Sequence, residues 1–271
     1  MRYTVKSMSN QAFAGNVPMH YDDGLGPVIF EPYAIETANR LANVVGHRWL
    51  ELAAGTGRVT RHLAAALPPD GSLVVTDLQG AMLEVAREKV EDPRVRFEVA
   101  DATALPFDDG AFDVVVSQFG VMFYPDKDRG HQEARRVLRP GGTYLFTSWA
   151  AHAENPWAAT VNELISAEFP ANPPGFFALP FSYIDAAEMK TSLRRAGFLD
   201  IRIDKVRKPL TADLARSFAS GSVAGTPLGN QIKEQGRDPQ ALIDRVECEF
   251  VRRFGDRPMR TDMVAFVVTA R

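Results

Sequence analysis

Three carboxylates in the first half of this chain each stand where an apolar run ends, the place where an α/β sheet presents side chains to a ligand. Glu51 closes Trp49-Leu50, Asp77 closes Leu73-Val74-Val75-Thr76, and Asp101 closes the alternating run from Arg94 to Ala100. The two oxygens of such a carboxylate can accept from both hydroxyls of a ribose. Between the first two lies Ala53-Ala54-Gly55-Thr56-Gly57, followed by the amphipathic run Val59 to Leu67. That order reads as strand, tight turn and helix, where a nucleotide-like cofactor lies against bare backbone. Glycine lacks a Cβ, so the chain can turn sharply and a ligand can come within contact distance.

The elements that must position these groups alternate. Residues 48–53 read as a strand, and 57–67 place Val59, Leu63, Ala64 and Leu67 on one helical face. Pro68-Pro69-Asp70-Gly71 ends that helix. Met82, Val85, Ala86 and Val90 again have helical spacing, and Phe112 to Val116 is the continuous apolar run of a strand buried on both faces. A helix over 130–138 ends at Arg139-Pro140-Gly141-Gly142, and Thr143 to Trp149 form another strand. A helix over 185–196 and strands over 201–206 and 263–269 complete the pattern. The fold class expected is α/β, a doubly wound and mostly parallel sheet. Residues 1–46 read as an N-terminal cap, 47–150 as the cofactor-binding core, and 151–184 and 209–258 as helical lid insertions, all within one domain over 1–271.

Composition excludes several classes. A net charge of −3 with 24% charged residues gives no bias toward nucleic acid or an anionic membrane. The single cysteine, Cys248, cannot form an intramolecular disulfide or a multi-cysteine site, and no metal-ligand spacing joins the histidines, so no metal is expected. Arg2 and Lys6 are followed by no apolar run, and no uncharged stretch reaches the roughly 20 residues that span a bilayer. A cytoplasmic protein without membrane insertion is the expectation, as monomer or homodimer.

Leu50-Glu51-Leu52-Ala53-Ala54-Gly55-Thr56-Gly57 resembles the first motif of class I S-adenosylmethionine-dependent methyltransferases, nearest the small-molecule branch of ubiquinone/menaquinone C-methyltransferase-like proteins. Further pieces follow in order. Thr76-Asp77-Leu78 with Ala81-Met82-Leu83 resembles the acidic second motif, and Asp101-Ala102 with Leu105-Pro106-Phe107 the adenine-side motif. Phe112 to Ser117 and Arg136 to Gly142 resemble the fourth-strand and post-helix motifs. The resemblance covers about residues 20–150. It implies S-adenosylmethionine as cofactor, S-adenosylhomocysteine as product, a Rossmann-like methyltransferase fold and a small organic methyl acceptor.

Each residue then has two readings. Asp77 binds ribose or caps a helix, and a residue there can do both. Glu51, an odd residue for a buried strand end, faces the methionine ammonium or pairs with Arg58 or Arg61. Asp101 accepts from the adenine amino group, with the Ala102 amide donating to the ring, or is a turn carboxylate. Leu78 and Met82 sandwich the adenine, though Met82 also suits core packing. Gln118 meets the methionine part through its backbone or is an ordinary loop amide. Tyr21, Ala53, Gly55, Thr56 and Gly57 complete the expected binding set.

A nicotinamide dinucleotide is the alternative cofactor. Its Gly-x-Gly-x-x-Gly fingerprint wants a third small residue where this chain has Thr60, and Glu51 would oppose a pyrophosphate. A member that binds the cofactor without turnover is the other alternative. The chain has no Asn/Asp-Pro-Pro-aromatic tetrad after the fourth strand, where Ser117-Gln118-Phe119-Gly120 stands, and no Pro-Cys nucleophile. A small acceptor remains, under a lid carrying Phe169, Phe176, Phe177, Phe181 and Tyr183, rings that serve equally as an ordinary core. No nucleophile–base–orienter set is evident. His152 and His20 are the candidate bases, His47 and His62 read as structural, and His131 as a solvated helix start.

Overall fold

The computed structural model describes residues 17–271, with side chains from Tyr21 onward. Strands β1 (Arg48–Glu51), β2 (Ser72–Asp77), β3 (Val95–Val99), β4 (Phe112–Gln118), β5 (Leu138–Trp149), β6 (Ile201–Ala212) and β7 (Met259–Ala270) form one sheet in the order β3-β2-β1-β4-β5-β7-β6. The first five run parallel, and β7 inserts antiparallel between β5 and β6. This is the expected doubly wound, mostly parallel α/β sheet. The strand order reverses between β1 and β4, and the crevice beyond their carboxyl ends is where ligands bind in such sheets.

Helices α1 (Val17–Gly24) and α2 (Glu31–Leu41), joined by a wide turn over Gly26–Phe30, precede the sheet. Then α3 (Thr60–Ala66), α4 (Gly80–Arg87) and α5 (Lys127–Val137) connect the parallel strands. α6 (Pro156–Glu168) and α7 (Ala186–Arg195) lie between β5 and β6. α8 (Ala215–Val223), α9 (Pro227–Glu234) and α10 (Pro239–Phe254) lie between β6 and β7.

β4 is buried from Phe112 to Ser117, as its unbroken apolar run requires of a central parallel strand. Its one charge has a structural task. The Asp113 carboxylate accepts the His47 and Arg48 amides at 2.6 and 2.9 Å and pairs with Arg139 at 2.7 Å, fixing the start of β1. The N-terminal helices are tied to the far edge of the sheet. The Tyr33 hydroxyl lies 2.9 Å from the Val206 carbonyl and 3.2 Å from that of Met263, and Arg40 and Lys208 join Glu36 to β6.

Three expectations change. The helix expected over 130–138 begins at Lys127, capped by the Asp126 side chain on the Arg129 amide at 2.9 Å, and Leu138 already belongs to β5. His131 is therefore mid-helix and fully buried rather than solvated, with Nε2 3.2 Å from the Tyr183 hydroxyl; burial pushes it down to about 4. β6 runs on to Ala212 through Arg207-Lys208-Pro209, so the second insertion begins after it and not at 209. Pro209 is tolerated because β6 is an edge strand paired only with β7, and its charged side chains discourage pairing with another chain. Phe169, Phe176, Phe177, Phe181 and Tyr183 are all buried in the core, the second of their two readings, and the Phe181 ring packs near Trp149 and Trp157. Among the described residues, no helix is long and apolar enough to cross a membrane, and no group of three His, Cys, Asp or Glu could hold a metal ion.

Candidate cofactor site

A cavity of about 250 Å³ opens beyond the carboxyl ends of β1, β2 and β4. The β1 end and its turn contribute Glu51, Ala53, Gly55 and Thr56; the β2 end contributes Asp77 and Leu78, and α4 contributes Met82. Asp101 and Ala102 follow β3, Gln118 ends β4, and Tyr21 comes from α1. The expected binding residues thus converge on one space, with one exception. Gly57 does not line the cavity.

The two glycines of the turn divide the work. Both have positive φ, 56° at Gly55 and 78° at Gly57. A Cβ at Gly55 would meet nothing within 4 Å, so its bare backbone faces open space. A Cβ at Gly57 would lie 2.9 Å from the Ala86 Cβ, so that glycine lets the turn pack on α4. Gly57 is thus a packing requirement of the turn.

Asp77 orders the site from below. Its Oδ2 accepts the Gly55 amide and its Oδ1 the Gln79 amide, each at 2.8 Å, so one carboxylate spans the turn after β1 and the start of α4. Burial raises its pKa, opposed by these backbone hydrogen bonds. Glu51 is different. It is 1% exposed, its Oε2 has no hydrogen-bond partner, and it is pushed up to about 8 by burial, with the neighbouring Asp77 charge adding to the rise. The expected alternative partners are engaged elsewhere: Arg58 binds Asp22 at 3.0 Å, and Arg61 binds Glu31. The salt-bridge reading of Glu51 is therefore overturned.

Other residues have local partners. Asp101 Oδ1 accepts the Thr103 amide and hydroxyl at 2.8 and 2.7 Å, so it is a turn carboxylate that also borders the cavity. Leu78 is 49% exposed while Met82 is buried, as an apolar slot open on one side requires. The Gln118 side chain donates to the Phe30 carbonyl at 3.1 Å and accepts from Thr37 at 3.3 Å, and the residue lines the cavity.

Sequence reasoning missed Asp22 and Phe119. Asp22 bonds Thr56 at 2.7 Å, Arg58 at 3.0 Å and Lys89 at 2.5 Å, clasping α1 onto the turn and α4. Burial raises its pKa, but Lys89, Thr56 and Arg58 more than offset this and hold it below the ordinary carboxylate range. Nothing in its spacing announces the clasp. Phe119 lines the cavity at φ 53° and stacks on Trp149 with centroids 4.1 Å apart. The candidate base His152 does not line this cavity; its ring lies 4.1 Å from that of Phe181. The His20 side chain lies outside the described residues. His47 pairs with Asp70 at 2.9 Å and His62 with Glu31 at 2.8 Å, both structural contacts as expected, and Cys248 is exposed.

Residues 50–142, from β1 to the start of β5, match the family model described as a methyltransferase domain. The chain is 37% identical over 123 residues to the ubiquinone/menaquinone biosynthesis C-methyltransferase UbiE of Idiomarina loihiensis, covering 44% of this chain and 47% of that protein. It is 43% identical over 119 residues to the demethylmenaquinone methyltransferase of Clavibacter sepedonicus, with 44% and 47% covered. The chain thus matches about half the length of these curated relatives. Phosphoethanolamine N-methyltransferase 2 of Haemonchus contortus shares the fold, with a TM-score of 0.62 at 16% identity over 100% of this chain and 60% of that one. The matched segment spans the cavity from Glu51 to Gln118, whereas β6, β7 and α6 to α10 lie beyond it.

Proposed function

We propose that this protein binds S-adenosylmethionine in the cavity at the ends of β1, β2 and β4 and transfers its methyl group to a small organic acceptor. The observation that carries the reading is Glu51, a buried carboxylate with an unpartnered oxygen in a cavity that also holds Asp77. Such an arrangement fits a ligand with one cationic group and vicinal hydroxyls. Glu51 would face the methionine ammonium, Asp77 the ribose, and Leu78, Met82 and Ala102 the adenine, while bare backbone at Gly55 admits close approach. When bound, the cofactor supplies a sulfonium methyl, an already activated electrophile. The chain's residues have to orient the acceptor and exclude water, which in well-oriented systems contributes up to roughly 7–11 kcal/mol. The names of the curated relatives favour a quinone-precursor acceptor. The segment that matches the methyltransferase-domain model ends at residue 142, before α6 to α10, so the acceptor is proposed only as a small organic molecule.

Calorimetry and thermal shift with S-adenosylhomocysteine, S-adenosylmethionine, NAD and NADP test the cofactor. The adenosyl compounds should bind and raise the melting temperature by mass action. Stabilisation by a nicotinamide cofactor alone would overturn the reading. Turnover in an acceptor screen separates an enzyme from a member that only binds the cofactor.

A further inference from the structure

The sheet ends on β6 at one side and on β3 at the other. β6 carries Pro209 and a row of charged side chains, devices that keep an edge from pairing. β3 reads Val95-Arg96-Phe97-Glu98-Val99, without proline or lysine. Its peptide groups alternate between the sheet and the free edge. The Arg94 carbonyl accepts the Leu73 amide at 2.9 Å, and the Ala100 amide donates to the Asp77 carbonyl at 3.1 Å. Residues 94, 96, 98 and 100 therefore face β2, and Val95, Phe97 and Val99 turn their peptide groups outward. The Val95 amide closes a turn on the Asp92 carbonyl at 3.0 Å, and the Arg87 side chain donates to the Phe97 carbonyl at 3.3 Å. Val99 is 56% exposed, an apolar side chain left open at the end of the strand.

We propose that β3 is a self-complementary interaction edge, on which a second copy of this chain pairs antiparallel about a two-fold axis at Phe97. The charges choose the register. Centred on Phe97, the pairing sets Arg96 of each copy opposite Glu98 of the other on one face of the sheet. On the other face Val95 lies opposite Val99, and the Phe97 side chains meet at the axis. The outward peptide groups match in the same register: the two Phe97 residues exchange both hydrogen bonds, and each Val99 amide reaches the Val95 carbonyl of the other copy. Slipping the pairing by two residues keeps that match but puts Glu98 opposite Glu98, or Arg96 opposite Arg96, and like charges directly opposite are destabilising. Within one strand Arg96 lies 3.3 Å from Glu98, both at the surface, a pair worth little alone and free to engage across the axis. The same surface on both copies makes a closed, isologous dimer rather than a fibre. Only the exposed Arg87 bond to Phe97 has to be displaced.

Sedimentation velocity of the full chain at rising concentration tests the pairing. Wild type should pass from monomer to dimer, and added salt should weaken the dimer. Arg96→Glu and Glu98→Arg should each weaken it about tenfold, since each places like charges opposite one another on both sides of the axis. A 1:1 mixture of these two variants should dimerise again, because unlike charges then face each other in the mixed pair. Arg87→Ala should tighten the dimer by freeing the Phe97 carbonyl. Circular dichroism of each variant should match wild type, because the exchanged side chains are at the surface. A wild-type chain that stays monomeric at every concentration overturns the proposal. So does a dimer equally strong in both single variants, which would lie elsewhere, or a mixture no more dimeric than its components.

Discussion

At the residue scale, Glu51 and Asp77 share one buried cavity but have different tasks. Glu51 holds its proton up to about 8 in the folded chain, against an ordinary value of 4.5. The folded state thus binds the proton more tightly than the unfolded one. The stability this gives is fully present below about 4.5 and is lost as pH rises toward 8. Melting curves from about pH 5 to about pH 8 should therefore show wild type losing stability relative to Glu51→Gln; parallel curves would contradict the burial argument. Asp77, also raised by burial, adds a slope that this variant keeps. An ammonium beside Glu51 favours its charged form. S-adenosylhomocysteine should then bind more tightly as pH rises from about 5 to about 7 with loss of a proton, and Glu51→Gln should bind it weakly with little pH dependence. Asp77→Ala should cost on the order of 1.5–3 kcal/mol of cofactor affinity, the scale of a hydrogen bond to a charged group. It should also loosen the turn, because the Gly55 amide loses its acceptor. Binding as tight as wild type in a folded Asp77→Ala would refute the ribose assignment.

At the element scale, the turn after β1 is held from two sides, by Asp77 on β2 and by Asp22 on α1. The glycines separate folding from binding. Gly57→Ala places a Cβ against Ala86 at positive φ, and should cost about 1–3 kcal/mol in urea unfolding. Gly55→Ala carries the same strain of a positive φ but meets only open space, so it should cost less stability than Gly57→Ala and more cofactor affinity. The reverse ranking would mean that the ligand lies against Gly57 after all. Asp22→Asn keeps one acceptor but loses the charge that binds Arg58 and Lys89. Stopped-flow measurements should show faster release of S-adenosylhomocysteine if α1 covers the cavity; an unchanged off-rate would free α1 from that role.

At the scale of the whole molecule, the aromatic segment between α6 and α7 is structural first. Phe181 is 7% exposed and touches the rings of Trp149, Trp157 and His152. Phe181→Ala should destabilise by about 3–5 kcal/mol in urea unfolding with cofactor affinity retained, since that ring does not line the cofactor cavity. Deleting residues 170–183 would remove several buried rings and unfold the chain, so single substitutions are the informative probes. An exposed, dispensable lid predicts a Phe181→Ala protein as stable as wild type.

The sequence by itself determined the alternation of strands and helices, the positions of Glu51, Asp77 and Asp101 at strand ends, and the turn carrying Gly55. These features are local: period, breaker residues and a carboxylate after an apolar run are all read within a few neighbours. Tertiary structure decided which glycine packs and which faces the cavity, because only the approach of α4 distinguishes Gly57 from Gly55. It also buried His131 under Tyr183, engaged Arg58 and Arg61 away from Glu51, and carried β6 through Pro209 as an edge strand. Each depends on partners far away in sequence, and no spacing rule encodes which distant element arrives at a given side chain. The orphaned atoms of Glu51, His152 and Trp157 are of the same kind, since a missing partner is visible only once every neighbour is in place.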